Sequence, residues 1–77
     1  MAQDWQKRIV ADPKILAGKP VIRRTRLSAE FILGLLANDW TIEHILNEYP
    51  QLERENVNAV LKYAAAIIKD KTRYISE

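Results

Sequence analysis

From Ser28 onward the apolar residues recur at intervals of three and four, and that spacing constrains the fold more than any other feature of the chain. Ser28 has a side chain suited to accept from a free N–H of a first helical turn. Phe31, Ile32, Leu35 and Leu36 follow it at helical spacing. Asn38-Asp39 ends that helix, because both residues tolerate a left-handed backbone better than most. Thr41 caps a second helix with Ile42, Ile45, Leu46 and Tyr49 on one face, and Pro50 closes it. A third begins near Glu53, is expected to bury Val57, Val60, Leu61, Ala64, Ile67 and Ile68, and frays near Lys71.

The first third has no such period. Pro13, Gly18 and Pro20 punctuate it, and the apolar pairs Ile9-Val10 and Val21-Ile22 read as two short strands joined by residues 12–19. A two-strand hairpin is marginal alone, so this one must lie on the helices or pair with another chain. The fold class expected is mainly α. It is a three-helix, helix-turn-helix-like domain (homeodomain-like or winged) with an N-terminal two-strand β arm. Residues 1–27 form the arm, 28–71 the helical core and 72–77 a tail, all within one domain.

With 77 residues and no cysteine, the chain can draw on neither a large core nor disulfide staples. No stretch is apolar and long enough to span a bilayer, which leads to the expectation of a soluble cytoplasmic protein. Thin stability and an aliphatic composition lead to the expectation of a homodimer, with Trp5, Ile9 and Val10 as contact residues. Charge is unevenly spread. Residues 1–27 hold seven cations against Asp4 and Asp12, while residues 28–58 hold six acids against Arg54 alone. Either the arm docks on its own acidic body, or it presents a charged binding surface.

The order of the pieces is more specific than any one of them. An Ile-Val strand precedes Asp12-Pro13, then Gly18-Lys19-Pro20-Val21-Ile22, Thr25-Arg26-Leu27 and a helix. The sequence Thr41-Ile-Glu-His-Ile-Leu, Tyr49-Pro50 and Leu52 follow. From about Arg8 to Lys69 the chain resembles the domain-of-unknown-function family numbered 433. That family carries G-K-P-V-I-x-G-T-R, a short helix, an S/T-x-E-E-I-L helix and Y-P-x-L. The resemblance implies a helix-turn-helix-like fold and the role of antitoxin in a type II toxin–antitoxin pair. It further implies that the chain binds and neutralises a PIN-like ribonuclease toxin and binds operator DNA as an autorepressor. Three positions depart from the pattern. Arg24 and Asp39 stand where the family favours glycine, and Glu53 stands where a Ser or Thr cap is usual.

The side chains do not suggest catalysis, and no enzyme activity, cofactor or metal is expected. There is one histidine, no cysteine and no glycine-rich phosphate loop, and Glu43 and Glu48 lie five apart on different faces of a helix. His44 falls between the inward positions Ile42 and Ile45, on the solvent or boundary side. Two binding surfaces compete. Lys19, Arg23, Arg24 and Arg26 on the arm would meet phosphates or the carboxylates of a metal-dependent nuclease. Asn58 and Lys62 lie on the outward face of the third helix with Glu55, Ala59, Ala66 and Lys69, and Arg54 lies at its flank; on operator DNA, Arg54 and Asn58 would reach base edges and Lys62 would hold a phosphate. Arg26 is also placed to pair with Glu30 or another helix acid. Trp40 is expected over the core beside Ile42. The alternatives to an antitoxin are a stand-alone DNA-binding regulator and a structural homodimer.

Overall fold

The computed structural model describes residues 4–71, so the tail at 72–77 lies outside the described residues. A short 3-10 helix, Asp4–Arg8, leads into β1 (Ile9–Val10); a 3-10 turn at Leu16–Gly18 leads into β2 (Val21–Ile22). Helices α1 (Ala29–Ala37), α2 (Ile42–Glu48) and α3 (Arg54–Lys71) complete the chain. The architecture is therefore three helices with a two-stranded antiparallel sheet on the N-terminal side.

β1 and β2 pair in the register Ile9 opposite Ile22 and Val10 opposite Val21. The other edge of β2 is also occupied. Ile22 N–H donates to Leu27 O at 2.9 Å, Ala29 N–H donates to Pro20 O at 2.9 Å, and Val21 bridges to Ser28. Flanked on both sides, β2 is fully buried and joins the helical core, so the hairpin is held by the helices of its own chain. The connection between the strands turns through left-handed Leu16, Ala17 and Gly18 (φ 50°, 56° and 83°). Only the last of the three is a residue that adopts this conformation without penalty.

The helix ends follow from local chemistry. Ser28 Oγ accepts from Phe31 N–H at 2.9 Å, and Thr41 Oγ1 accepts from His44 N–H at 3.0 Å. At the end of α1, Asp39 is left-handed (φ 71°). Its N–H donates to Leu36 O, and Trp40 N–H donates to Leu35 O, both at 3.1 Å. This pair of bonds is the usual glycine-terminated stop, built here on aspartate. At the start of α3, Asn56 lies inside the protein, and its Oδ1 accepts from Glu53 N–H at 2.7 Å. The cap comes from the helix's own first turn, which leaves the Glu53 carboxylate free for another partner.

Ile22, Ala29, Ile32, Ile45, Leu52, Val57 and Val60 form the core, with Trp40 half-buried against it. Four expectations need correction. The first third is not free of helix: Asp4–Arg8 forms one turn and a half, and Trp5 packs on Tyr63 of α3 at 6.5 Å between ring centroids. Ala59, one turn before Tyr63 on the same side, is consequently buried rather than outward. Leu61, Ile67 and Ile68 are not core residues but 41%, 43% and 61% exposed, because α3 continues past the elements that cover it. Phe31 is exposed as well, set edge-on to Tyr49 at 5.8 Å.

Gly34 offers a clean test of the helix assignment. It lies mid-helix in α1 on an exposed position, and a methyl group there would meet nothing within 4 Å. Gly34→Ala is expected to raise stability by about 0.5–1 kcal/mol, through the lower backbone entropy of the unfolded chain. Urea unfolding followed by helical circular dichroism measures this; a lowered midpoint would mean that α1 is not exposed there.

Candidate functional site

The turn after β2 is built by Thr25. Its N–H and Oγ1 both donate to Ile22 O, at 3.0 and 2.7 Å, and Oγ1 accepts from Leu27 N–H at 3.0 Å. Arg23 and Arg24 occupy the two central positions of the turn and are exposed. Arg23 N–H donates to Arg8 O at 2.8 Å, which ties the turn to the end of the 3-10 helix. Between this turn and the start of α3 lies an open cleft of about 670 Å³. Lys7, Arg8, Arg23 and Arg24 line it together with Thr25, and Gln51, Glu53 and Asn56 form the facing wall.

Four cations therefore share this space with a single carboxylate. Glu53 Oε1 lies 3.1 Å from Arg8 Nη1. Among the described residues, Lys7, Arg23 and Arg24 have no ion pair. Such a surface accepts an anion with more than one oxygen: guanidinium groups present paired N–H donors to a carboxylate or phosphate, and their charge draws it in from a distance.

Arg24 adopts φ 68° at the turn position that usually takes glycine. It stays left-handed at a cost, since its Cβ crowds the backbone. Arg24→Gly is expected to stabilise the fold by about 0.5–1 kcal/mol while weakening anion binding. Thermal unfolding and a binding titration on the same variant separate the two effects; a less stable variant would show that the Arg24 side chain holds the turn.

The other expected site residues fall elsewhere. Lys19 Nζ pairs with Glu30 Oε1 at 3.3 Å, outside the cleft, and so takes the acid that was expected to hold Arg26. Arg26 is exposed and has no ion pair among the described residues. The arm thus docks partly on its own acidic body, through Arg8 and Lys19, and partly remains open through Lys7, Arg23 and Arg24. On α3, Arg54 Nη2 lies 2.6 Å from Glu43 Oε2, an exposed ion pair between α2 and α3. The Glu43 backbone N–H and the Arg54 guanidinium keep the Glu43 carboxyl below its ordinary range. A depressed carboxylate stabilises the fold above its unfolded pKa, and that contribution is lost as pH falls through the folded value.

Asn58 and Lys62 remain exposed on α3, but Ala59 between them is covered. Ile9 and Val10 are half-buried in the hairpin, and Trp5 rests on Tyr63. His44 is exposed and stacks on Trp40, with ring centroids 4.1 Å apart and planes 11° from parallel; its Nε2 is 3.8 Å from Glu48 Oε2. No helix among the described residues is long and apolar enough to cross a membrane.

Lys7 and Arg8 are not among the expected site residues, although the sequence holds a signal for them. Lys7-Arg8-Ile9-Val10 and Val21-Ile22-Arg23-Arg24 mirror one another. Pairing Ile9 with Ile22 in an antiparallel hairpin sets Arg8 opposite Arg23 and brings Lys7 to the same end.

Residues 9–64 match the model of a family described as "Protein of unknown function (DUF433)". The chain is 31% identical over 58 residues to the uncharacterized protein y4eO of Sinorhizobium fredii, a match covering 75% of this chain and 26% of that protein. It thus spans about a quarter of that relative's length. The crystal structure of a DUF433 member from Anabaena variabilis superposes with a TM-score of 0.77 at 24% identity, covering 99% of this chain and 75% of that one.

Proposed function

We propose that this chain, which belongs to the DUF433 family, is a cytoplasmic antitoxin-type protein whose basic cleft binds and neutralises a PIN-like ribonuclease. The observation that carries this reading is the cleft itself: Lys7, Arg23 and Arg24 stand open at one end of the hairpin, with Glu53 the only carboxylate among the lining residues. Nucleases of that class gather carboxylates around a divalent ion. Arginine guanidinium groups inserted among those carboxylates neutralise them and displace the ion. The turn carries its two arginines at a tip whose backbone is fixed by three hydrogen bonds through Thr25, so little loop order need be gained on binding.

Operator binding by the same protein is the weaker part of the reading. On α3 it would rest on Asn58 and Lys62, since Arg54 is held by Glu43 and the carboxylates Glu53 and Glu55 flank the helix start. Cleft cations would then hold phosphates. The deciding experiment is an RNA-cleavage assay with a purified PIN-type nuclease encoded beside this chain. Stoichiometric inhibition is expected, and no inhibition at saturating protein overturns the proposal. A promoter-fragment titration at several salt concentrations tests the operator part separately.

A further inference from the structure

Beyond Val60, α3 runs on with an apolar face that no other described element of the chain covers. Leu61, Ala65, Ile67 and Ile68 are exposed, and Ala64 is half-buried. Leu61, Ala64, Ala65 and Ile68 stand at i, i+3, i+4 and i+7, which is one seam along a helix. The seam is symmetric about its midpoint. Leu61 and Ile68 lie equally far from the Ala64–Ala65 peptide, so a two-fold axis through that point carries large residues onto large and small onto small.

A second copy of α3 laid antiparallel on this seam sets each Leu61 against Ile68 of the partner copy. The alanines at the crossing let the two backbones approach closely. We propose that the chain homodimerises through this α3 seam.

Of the residues expected at the dimer surface, Ile9 and Val10 pair with β2 on one edge of β1, and Trp5 packs on Tyr63. The seam is also separate from the basic cleft, so the dimer does not depend on what the cleft binds. Antiparallel pairing sends the two clefts to opposite ends of the helix pair. The two copies of Asn56 are then about 25 Å apart along it, at the usual rise per residue. Both Lys62 side chains fall along one edge of the pair, so added salt should leave the dimer unchanged or tighten it, whereas it weakens anion binding in the cleft.

Sedimentation equilibrium on the full chain, from low to high micromolar concentration, tests the proposal. The expected result is a reversible dimer that Leu61→Glu and Ile68→Glu each weaken by roughly a hundredfold, with unchanged circular dichroism, and that Trp5→Ala leaves intact. A second measurement does not depend on those variants folding. Ala65→Cys supplies the only thiol of the chain and should cross-link two copies under mild oxidation, because the helices bring these positions within disulfide reach; Val10→Cys should not. A wild-type chain that stays monomeric throughout overturns the proposal. So does a dimer that survives Ile68→Glu, or one that cross-links through Val10→Cys and not Ala65→Cys.

Discussion

Ile45→Ala is expected to destabilise the protein by about 2–5 kcal/mol, enough to leave a large fraction of molecules unfolded at 37 °C. Ile45 is fully buried at the centre of α2 and belongs to the cluster that includes Ile22, Ile32, Val57 and Val60. Removing its outer carbons loses their transfer free energy and leaves a cavity whose walls come from a strand and three helices. These cannot all move inward together. A domain of this size has on the order of 4–10 kcal/mol to lose, so the melting temperature should fall by roughly 15–25 °C. Ile45→Val, which removes one methyl group, should cost about 1 kcal/mol. Ile68→Ala on the exposed end of α3 should change little in a monomeric sample. Differential scanning calorimetry on the three variants gives the ranking. If Ile68→Ala proved as damaging as Ile45→Ala at low concentration, the core would extend along α3 beyond Val60 and the exposed seam would be lost with it.

Much of the fold was legible because local chemistry and tertiary packing agree. Ser28 and Thr41 both act as caps, and the hairpin forms from the two apolar pairs on either side of the Pro-Gly segment. Asp39 takes the left-handed position that a polar residue with a short side chain tolerates. The misses also have physical reasons. Hydrophobic period says which side of α3 is apolar, but not how far along the helix other elements reach. Leu61, Ile67 and Ile68 therefore looked the same as Val57 and Val60. Ala59 looked solvent-facing because one apolar stripe was enough to account for α1 and α2. The 3-10 helix at Asp4–Arg8 covers a second side, and five residues are too short to show a period.

The charge pattern was harder to divide, because a cation's partner depends on register and turn geometry. Lys19 and Arg8 are drawn onto Glu30 and Glu53, while Arg23 and Arg24, on a turn whose conformation depends on Thr25, have no ion pair among the described residues. Thus the same net charge on the arm yields two neutralised residues and a cluster of three open ones. Solvent-exposed pairs such as Lys19–Glu30 contribute little to stability. The open cluster is the part of the arm on which selection for binding can act without disturbing the fold.

Reversing that cluster should have the largest functional effect. Arg23→Glu combined with Arg24→Glu is expected to weaken nuclease binding by roughly a thousandfold, with the unfolding midpoint changed little. Each substitution removes a donor for a partner carboxylate and sets a like charge in its place, so the loss exceeds that of alanine. Lys7→Glu, on the rim of the same cleft, should weaken binding by about tenfold and act mainly on the association rate. Lys19→Glu lies outside the cleft, and Arg54→Ala lies on the α2–α3 ion pair; each should change affinity by less than about threefold if the cleft is the contact surface. Wild-type affinity should fall steeply as salt rises, and the double reversal should flatten that dependence, because the attracting charges are gone. Surface-plasmon titrations at three salt concentrations supply all of these numbers. Full affinity in the double reversal, with loss instead in Asn58→Ala or Lys62→Glu, would transfer the binding surface from the hairpin to α3.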